Sequence, residues 1–244
     1  MIQHIKLRAR ALQQQHRALF AAVFALRVLL FLLPASVIAA AAFFFRGRWL
    51  AVSVSVCVPV LLWASAVGSL GGAFCFSALA EGREATLRLF FFAFRRKNQG
   101  RAAASFLLSA VLQSVLLGAL SVPAAAGIRL LLGALRRGLP AVSGVLLAVG
   151  TAAAAAATVL LGLRVHALFS LRSLFLAQGC TARKSVCLCL RIGARETRHL
   201  LALRRSFFGW NLLSLLLVPL PFVRGYVCQS RALLFSAMNL CPTS

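Results

Sequence analysis

Long uncharged runs alternate with short basic segments along this chain, a pattern that predicts membrane-crossing helices joined by helices that do not cross. Residues 28–45 carry no charge and approach the roughly 20 apolar residues an α-helix needs to cross a hydrocarbon core. Residues 49–80 form a longer uncharged run, with Pro59 inside it and Trp49 at its start, where an aromatic ring suits the headgroup level. Residues 102–128 and 139–163 predict two more spans, separated by the basic tip Arg136, Arg137, Gly138. Two apolar stretches follow, 206–218 and 222–238, interrupted by Pro219, Pro221 and Arg224. Prolines release backbone groups that lipid cannot satisfy, so the interruption predicts a short hairpin with Arg224 at the outer headgroup level. The alternative is a single bent span, which leaves Arg224 in lipid at a cost of at least about 2.5 to 3.5 kcal/mol. The expected fold is all-α: one polytopic helical integral membrane domain with five to six transmembrane helices.

Three segments between these runs are basic and amphipathic, at about 5–26, 83–98 and 181–205, and predict interfacial helices. In the first, Lys6, Arg10, Gln13 and Arg17 recur at helical spacing, and Arg27 is placed to snorkel to the interface. In the second, Leu87, Phe90, Phe91 and Phe94 share a face that suits acyl chains, while Glu84, Arg88 and Arg95 share another. In the third, Lys184, Arg191, Arg195 and Arg198 fall within a narrow arc, with Val186, Leu190 and Leu201 on a different one. LAEGREA from Leu79 and LAQGCTA from Leu176 match at four of seven positions, a faint internal echo.

Composition fixes the solvent and charge fixes the orientation. Hydrophobic residues make up 61% of the chain, and 27 Lys and Arg stand against 3 Asp and Glu. Because the basic residues alternate with runs too long for a soluble domain, the expected polyanion is the anionic lipid surface rather than nucleic acid. Residues 1–17, 81–101 and 164–205 hold nineteen of the Lys and Arg, and the opposite loops hold Arg46, Arg48, Arg136 and Arg137. The positive-inside rule therefore places the N-terminus and the three amphipathic helices in the cytoplasm. Val28 to Leu33 followed by PASVIAAAA resembles a cleavable signal, but the long segment before it favours an uncleaved first helix.

Several chemistries lack their groups. The acids are Glu81, Glu84 and Glu196, and none falls inside an expected span, which weighs against proton- or cation-coupled transport. His4, His16, His166 and His199 flank spans singly, and Cys187, Cys189 and His199 have no second pair at zinc spacing, so neither a metal nor a cofactor is expected. The cysteines read as reduced apolar fillers, and Ser69 in GSLGG has no base beside it. Small residues four apart, Ala64, Gly68 and Gly72, then Gly144, Ala148, Ala152 and Ala156, suit close helix packing.

The run ARKSVCLCLRIGARETRHLLALRRSFFGWNLLSLLLVPLPFVRGYVCQSRALLF resembles the C-terminal signature of a bacterial multi-pass membrane family catalogued as domain of unknown function 975. Ala182, Ser185, Leu188 and Leu190 match its amphipathic helix; Ser206, Phe207, Gly209, Trp210, Leu212 and Leu213 match its "LSFigW.LL" segment. IKLRARALQQQ is similar to the family's opening and RLFFFAFRR to its middle, while Arg224, Gly225 and Tyr226 stand where the family has Pro-Tyr. The resemblance implies a bacterial cytoplasmic membrane and an architecture, with no activity attached. The leading expectation is a non-enzymatic membrane-organising or interaction protein that engages anionic lipid, or a protein partner, through Lys184, Arg191, Arg195, Arg198, Arg88 and Arg95. The alternatives are a transporter or channel for an anion or amphiphile, with Arg224 near its path, and a lipid-modifying enzyme.

Overall fold

A computed structural model describes residues 2–44, 48–136, 141–207 and 220–237, and among them every regular element is helical. The elements are α1 (Ile2–Gln15), α2 (Arg17–Phe44), α3 (Arg48–Ala80), α4 (Leu87–Phe92), α5 (Arg96–Arg136), α6 (Ala141–Phe169), α7 (Arg172–Ala177), α8 (Ala182–Ser206) and α9 (Leu220–Ala237). Among the described residues four helical stretches are long and apolar enough to cross a membrane: Arg17–Ala40, Ser55–Ala80, Arg96–Gly133 and Val145–Ala177. They correspond to the first four expected spans, and the chain is a polytopic helical membrane protein. Helices are the form such runs must take, since lipid offers the backbone no partner and an α-helix satisfies its own N–H and C=O groups.

The spans are longer than the uncharged runs because basic residues continue them as helix. α2 starts at Arg17 and α5 at Arg96, so parts of the first two expected interfacial segments belong to spans. Only a turn at His16 separates α1 from α2, and the Phe20 N–H to His16 carbonyl bond of 3.1 Å carries the helical ladder across it. The second segment is shorter than expected, reduced to the six residues of α4 between two turns.

Packing is concentrated at one end of the bundle. The α3 span has 44% of its apolar window buried inside the protein, against 6% for α5 and 6% for α6, so α3 is the central post and the others present their sides outward. The main core joins Ile5 and Ala9 of α1, Phe20 and Val23 of α2, and the last turns of α3 with α7, α8 and α9. Phe175 meets Phe235 edge-on at 4.8 Å, and Phe20 lies 5.2 Å from Phe76. The expected small-residue stripe of α6 does not pack, since Ala148, Ala152 and Ala156 are exposed. α5 and α6 meet instead where Thr158 donates to the Leu120 carbonyl at 2.9 Å and where Gly127 admits Thr151.

The echo at Leu79 and Leu176 has a structural cause. Gly82 (φ 74°) follows α3 and Gly179 (φ 94°) follows α7, both in the left-handed region open to glycine. Gly82 N–H bonds the Leu79 carbonyl and Arg83 N–H the Ala78 carbonyl; Gly179 N–H and Cys180 N–H do the same to Leu176 and Phe175. Each is a Schellman cap that ends a buried helix and releases the chain into a basic segment.

α9 covers the expected last apolar stretch, 222–238, as far as Ala237. Tyr226 stacks edge-on against Phe207 at 5.0 Å and donates to the Lys6 carbonyl at 3.3 Å, while Phe235 meets Phe175 at the other end of the helix. These neighbours all belong to the basic end, and among the described residues α9 is not one of the four stretches long and apolar enough to cross a membrane. Arg224 and Arg231 interrupt its apolar surface, and Gln229 and Ser230 are buried. The other expected half of the hairpin, 206–218, lies almost wholly outside the described residues, as does Pro219.

Candidate functional site

Two surfaces at the basic end carry the residues of interest. The first is built by α4 and α8. α8 is held down by Ser185, Val186, Cys189, Ile192, Leu200 and Leu203, all buried, and Ser185 Oγ lies 3.3 Å from Ser105 Oγ of α5. On the opposite arc Lys184 and Arg191 are exposed, as expected, joined by Arg183 and Cys187. Leu190, expected on the apolar arc, is 43% exposed, and Cys189 and Ile192 take the inward place. Arg195 and Arg198 lie on the backbone of α8, and their side chains are outside the described residues.

α4 divides its phenylalanines differently from the expected single face. Phe90 and Ala93 are fully buried, and Gly71 of α3 has no Cβ because one built there would stand 2.8 Å from the Phe90 backbone oxygen. Phe94 is half-buried, edge-on to Trp63 at 6.2 Å. Leu87, Phe91 and Phe92 remain exposed beside Arg88 and Arg95, and the Arg95 guanidinium lies 4.4 Å over the Phe92 ring. A side chain can point only one way from a six-residue helix docked by its middle, so Phe90 goes in while its neighbours stay out.

The second feature was not legible as a site in the sequence. A cavity of about 160 Å³ lies between α2, α3, α9 and the turn joining α6 to α7, lined by Arg27, Arg172 and Arg231 together with Ser69, Ser170 and Ser173. Arg27, expected to snorkel to the interface, turns toward α9: its Nη1 lies 3.9 Å from Cys228 Sγ. It rests on the small-residue face of α3, where a Cβ on Gly72 would meet Nη1 at 3.3 Å and one on Gly68 would meet Cγ at 3.7 Å. Arg172 lies 4.5 Å over the Phe106 ring and donates to Ser109 Oγ. Arg231 makes no hydrogen bond or ion pair with a described residue. The ion pair formed among the described residues is Arg83 with Glu81, away from the cavity. The one available signal was arginine inside apolar helices without acidic partners, and it does not say which arginines converge.

The remaining expected positions are not gathered into either surface. Arg224 is exposed on α9 and does not line the cavity. Pro221 is the second described residue of α9. Cys187 points outward and Cys189 inward, so they do not share a ligand geometry, and among the described residues no three of His, Cys, Asp and Glu converge on a metal-sized site. Comparison with family models, with curated proteins and with solved structures finds no match for this chain.

Proposed function

We propose that this chain is a non-enzymatic, multi-pass protein of the bacterial cytoplasmic membrane that organises or holds anionic lipid through the surface formed by α4 and α8. The observation that carries the reading is α4 docked on Phe90 with Phe91 (53% exposed) and Phe92 (37% exposed) beside Arg88 and Arg95. Exposed aromatic rings next to cations suit the boundary between acyl chains and phosphates. α8 adds Lys184 and Arg191, with Arg195 and Arg198 on the same arc of the sequence. The cytoplasmic setting rests on the concentration of Lys and Arg at this end, and the bacterial one on the resemblance to the family of unknown function.

The test uses the full chain in nanodiscs of mixed phosphatidylglycerol and phosphatidylcholine, with the lipids retained around the protein measured by native mass spectrometry. Phosphatidylglycerol is expected to be enriched, and each cation contributes up to about 1 kcal/mol, weakening with salt. Replacing Arg88, Arg95, Lys184 and Arg191 by glutamine removes most of the enrichment while the protein stays inserted. Enrichment that ignores both salt and these replacements would refute the reading.

A further inference from the structure

We propose that the cavity bounded by Arg27, Arg172 and Arg231 is a binding site for a phosphate oxyanion. This rests on the cavity alone and not on the α4 and α8 surface, with which it shares no described residue.

Three arginines, from α2, α7 and α9, line one space, and among the described residues no carboxylate lines it with them. All three side chains are half-buried, so each has lost part of its water. Like charges held together in that way repel and are poorly solvated, and buried charge is ordinarily compensated by an opposite one. Among the described residues no carboxylate is placed to compensate them: Glu81 is engaged by Arg83 and Ser77, and Glu84 is exposed. A guanidinium offers planar, forked N–H donors that match the oxygens of a phosphate, and several around one space define a site of fixed shape.

The donors come from the arginines. Ser69 and Ser170 direct their hydroxyl protons to the carbonyls of Ala66 and Ala167 at 2.8 and 2.6 Å. Arg172 is braced by Phe106 and Ser109, and Arg27 by α3 and Cys228, which holds both in place before a ligand arrives. Arg231, without such a brace among the described residues, is the arm left to close on the ligand. The volume of about 160 Å³ is similar to the ~150 Å³ that accommodates a benzene-sized molecule, enough for a phosphoryl group and its ester oxygen. Its depth is that of headgroups, because Arg27 immediately precedes the uncharged run of α2 and Arg172 follows the end of α6. The oxyanion can therefore come from an anionic phospholipid headgroup or from a soluble phosphate.

The deciding experiment uses the full chain in neutral detergent, titrated separately with inorganic phosphate, short-chain phosphatidylglycerol and short-chain phosphatidylcholine, with binding read by native mass spectrometry and thermal shift. Wild type is expected to hold one anion, and Arg231→Gln to bind it about tenfold or more weakly, the loss expected for one charge-assisted hydrogen bond. Arg231 has no hydrogen-bond or ion-pair partner among the described residues to lose, so this variant is expected to keep its fold; Arg231→Lys restores part of the affinity, and Arg129→Gln, exposed elsewhere on α5, leaves it unchanged. Binding of phosphatidylglycerol without inorganic phosphate identifies the lipid as the source, and binding of both identifies the phosphate itself as sufficient. Failure of wild type to bind either anion, or equal binding by wild type and Arg231→Gln, overturns the site. Loss of binding in the variant lacking Arg88, Arg95, Lys184 and Arg191 also overturns it, since the bound anion would then belong to the outer surface.

Discussion

Cys187 and Cys189 stand two positions apart on α8 and experience opposite surroundings. Cys187 is exposed, while Cys189 is 1% exposed and burial pushes its thiol up to about 12, against the opposing pull of Arg172. The thiolate is the reactive form, so both access and ionisation disfavour Cys189. In two variants that each keep a single cysteine, a maleimide is expected to label Cys187 readily at neutral pH and Cys189 about a hundredfold or more slowly until the protein is denatured. Equal rates would show that this face of α8 is not packed as described. Arg27 teaches the same lesson, since its position along the chain puts it at the interface but the Gly68 and Gly72 groove decides that it points inward. Snorkelling toward water is the default for a cation at a span's end, and a groove on a neighbouring helix offers another path.

At the scale of elements, α3 is the piece on which the others are assembled, and two adjacent glycines on it do different jobs. A Cβ on Gly71 would meet the backbone oxygen and ring of Phe90 at 2.8 Å, whereas one on Gly72 would meet the far end of the Arg27 side chain at 3.3 Å. Backbone cannot move without moving α4, and a flexible arginine can. Gly71→Ala is therefore expected to cost about 1–3 kcal/mol, the usual range for overpacking, and Gly72→Ala clearly less. Thermal unfolding in detergent checks the order, and the reverse order would mean that α4 is not seated on Gly71. The two Schellman caps show how much a local signal can determine. Leu-Ala-x-Gly ends both α3 and α7 with the same hydrogen bonds, although one helix crosses the membrane and the other is six residues long.

At the scale of the molecule, four crossing stretches bring α1, α4, α8 and α9 to one end. Reporter fusions at Gln14, Asn98 and Arg195 are expected to give the cytoplasmic signal, from the distribution of Lys and Arg. A fusion at Ala237 is expected to give the same signal as Arg195, because both ends of α9 touch the basic end. A periplasmic signal at Asn98 would invert the arrangement, and one at Ala237 alone would restore the single bent span. The flanks of the 208–219 stretch are also held together there, through Lys6 donating to the Ser206 carbonyl at 3.2 Å and lying 4.9 Å over Phe207, which stacks on Tyr226.

By itself the sequence determined the solvent, the helical class and the first four spans, because uncharged runs near 20 residues have one way to satisfy their backbone in lipid. It also determined the exposed basic arc of α8, since helical periodicity is a local property that places Lys184 and Arg191 opposite Val186. Only the tertiary structure decided which apolar face meets protein and which meets lipid, a distinction invisible where both environments are apolar. Leu190 and Phe91 thus stay outside, Phe90 goes in, and the alanine stripe of α6 faces outward. It alone decided that 220–237 folds against α1 and α7, and that Arg27, Arg172 and Arg231 share one cavity. Those three lie far apart along the chain, and spacing along one helix cannot report on convergence from three.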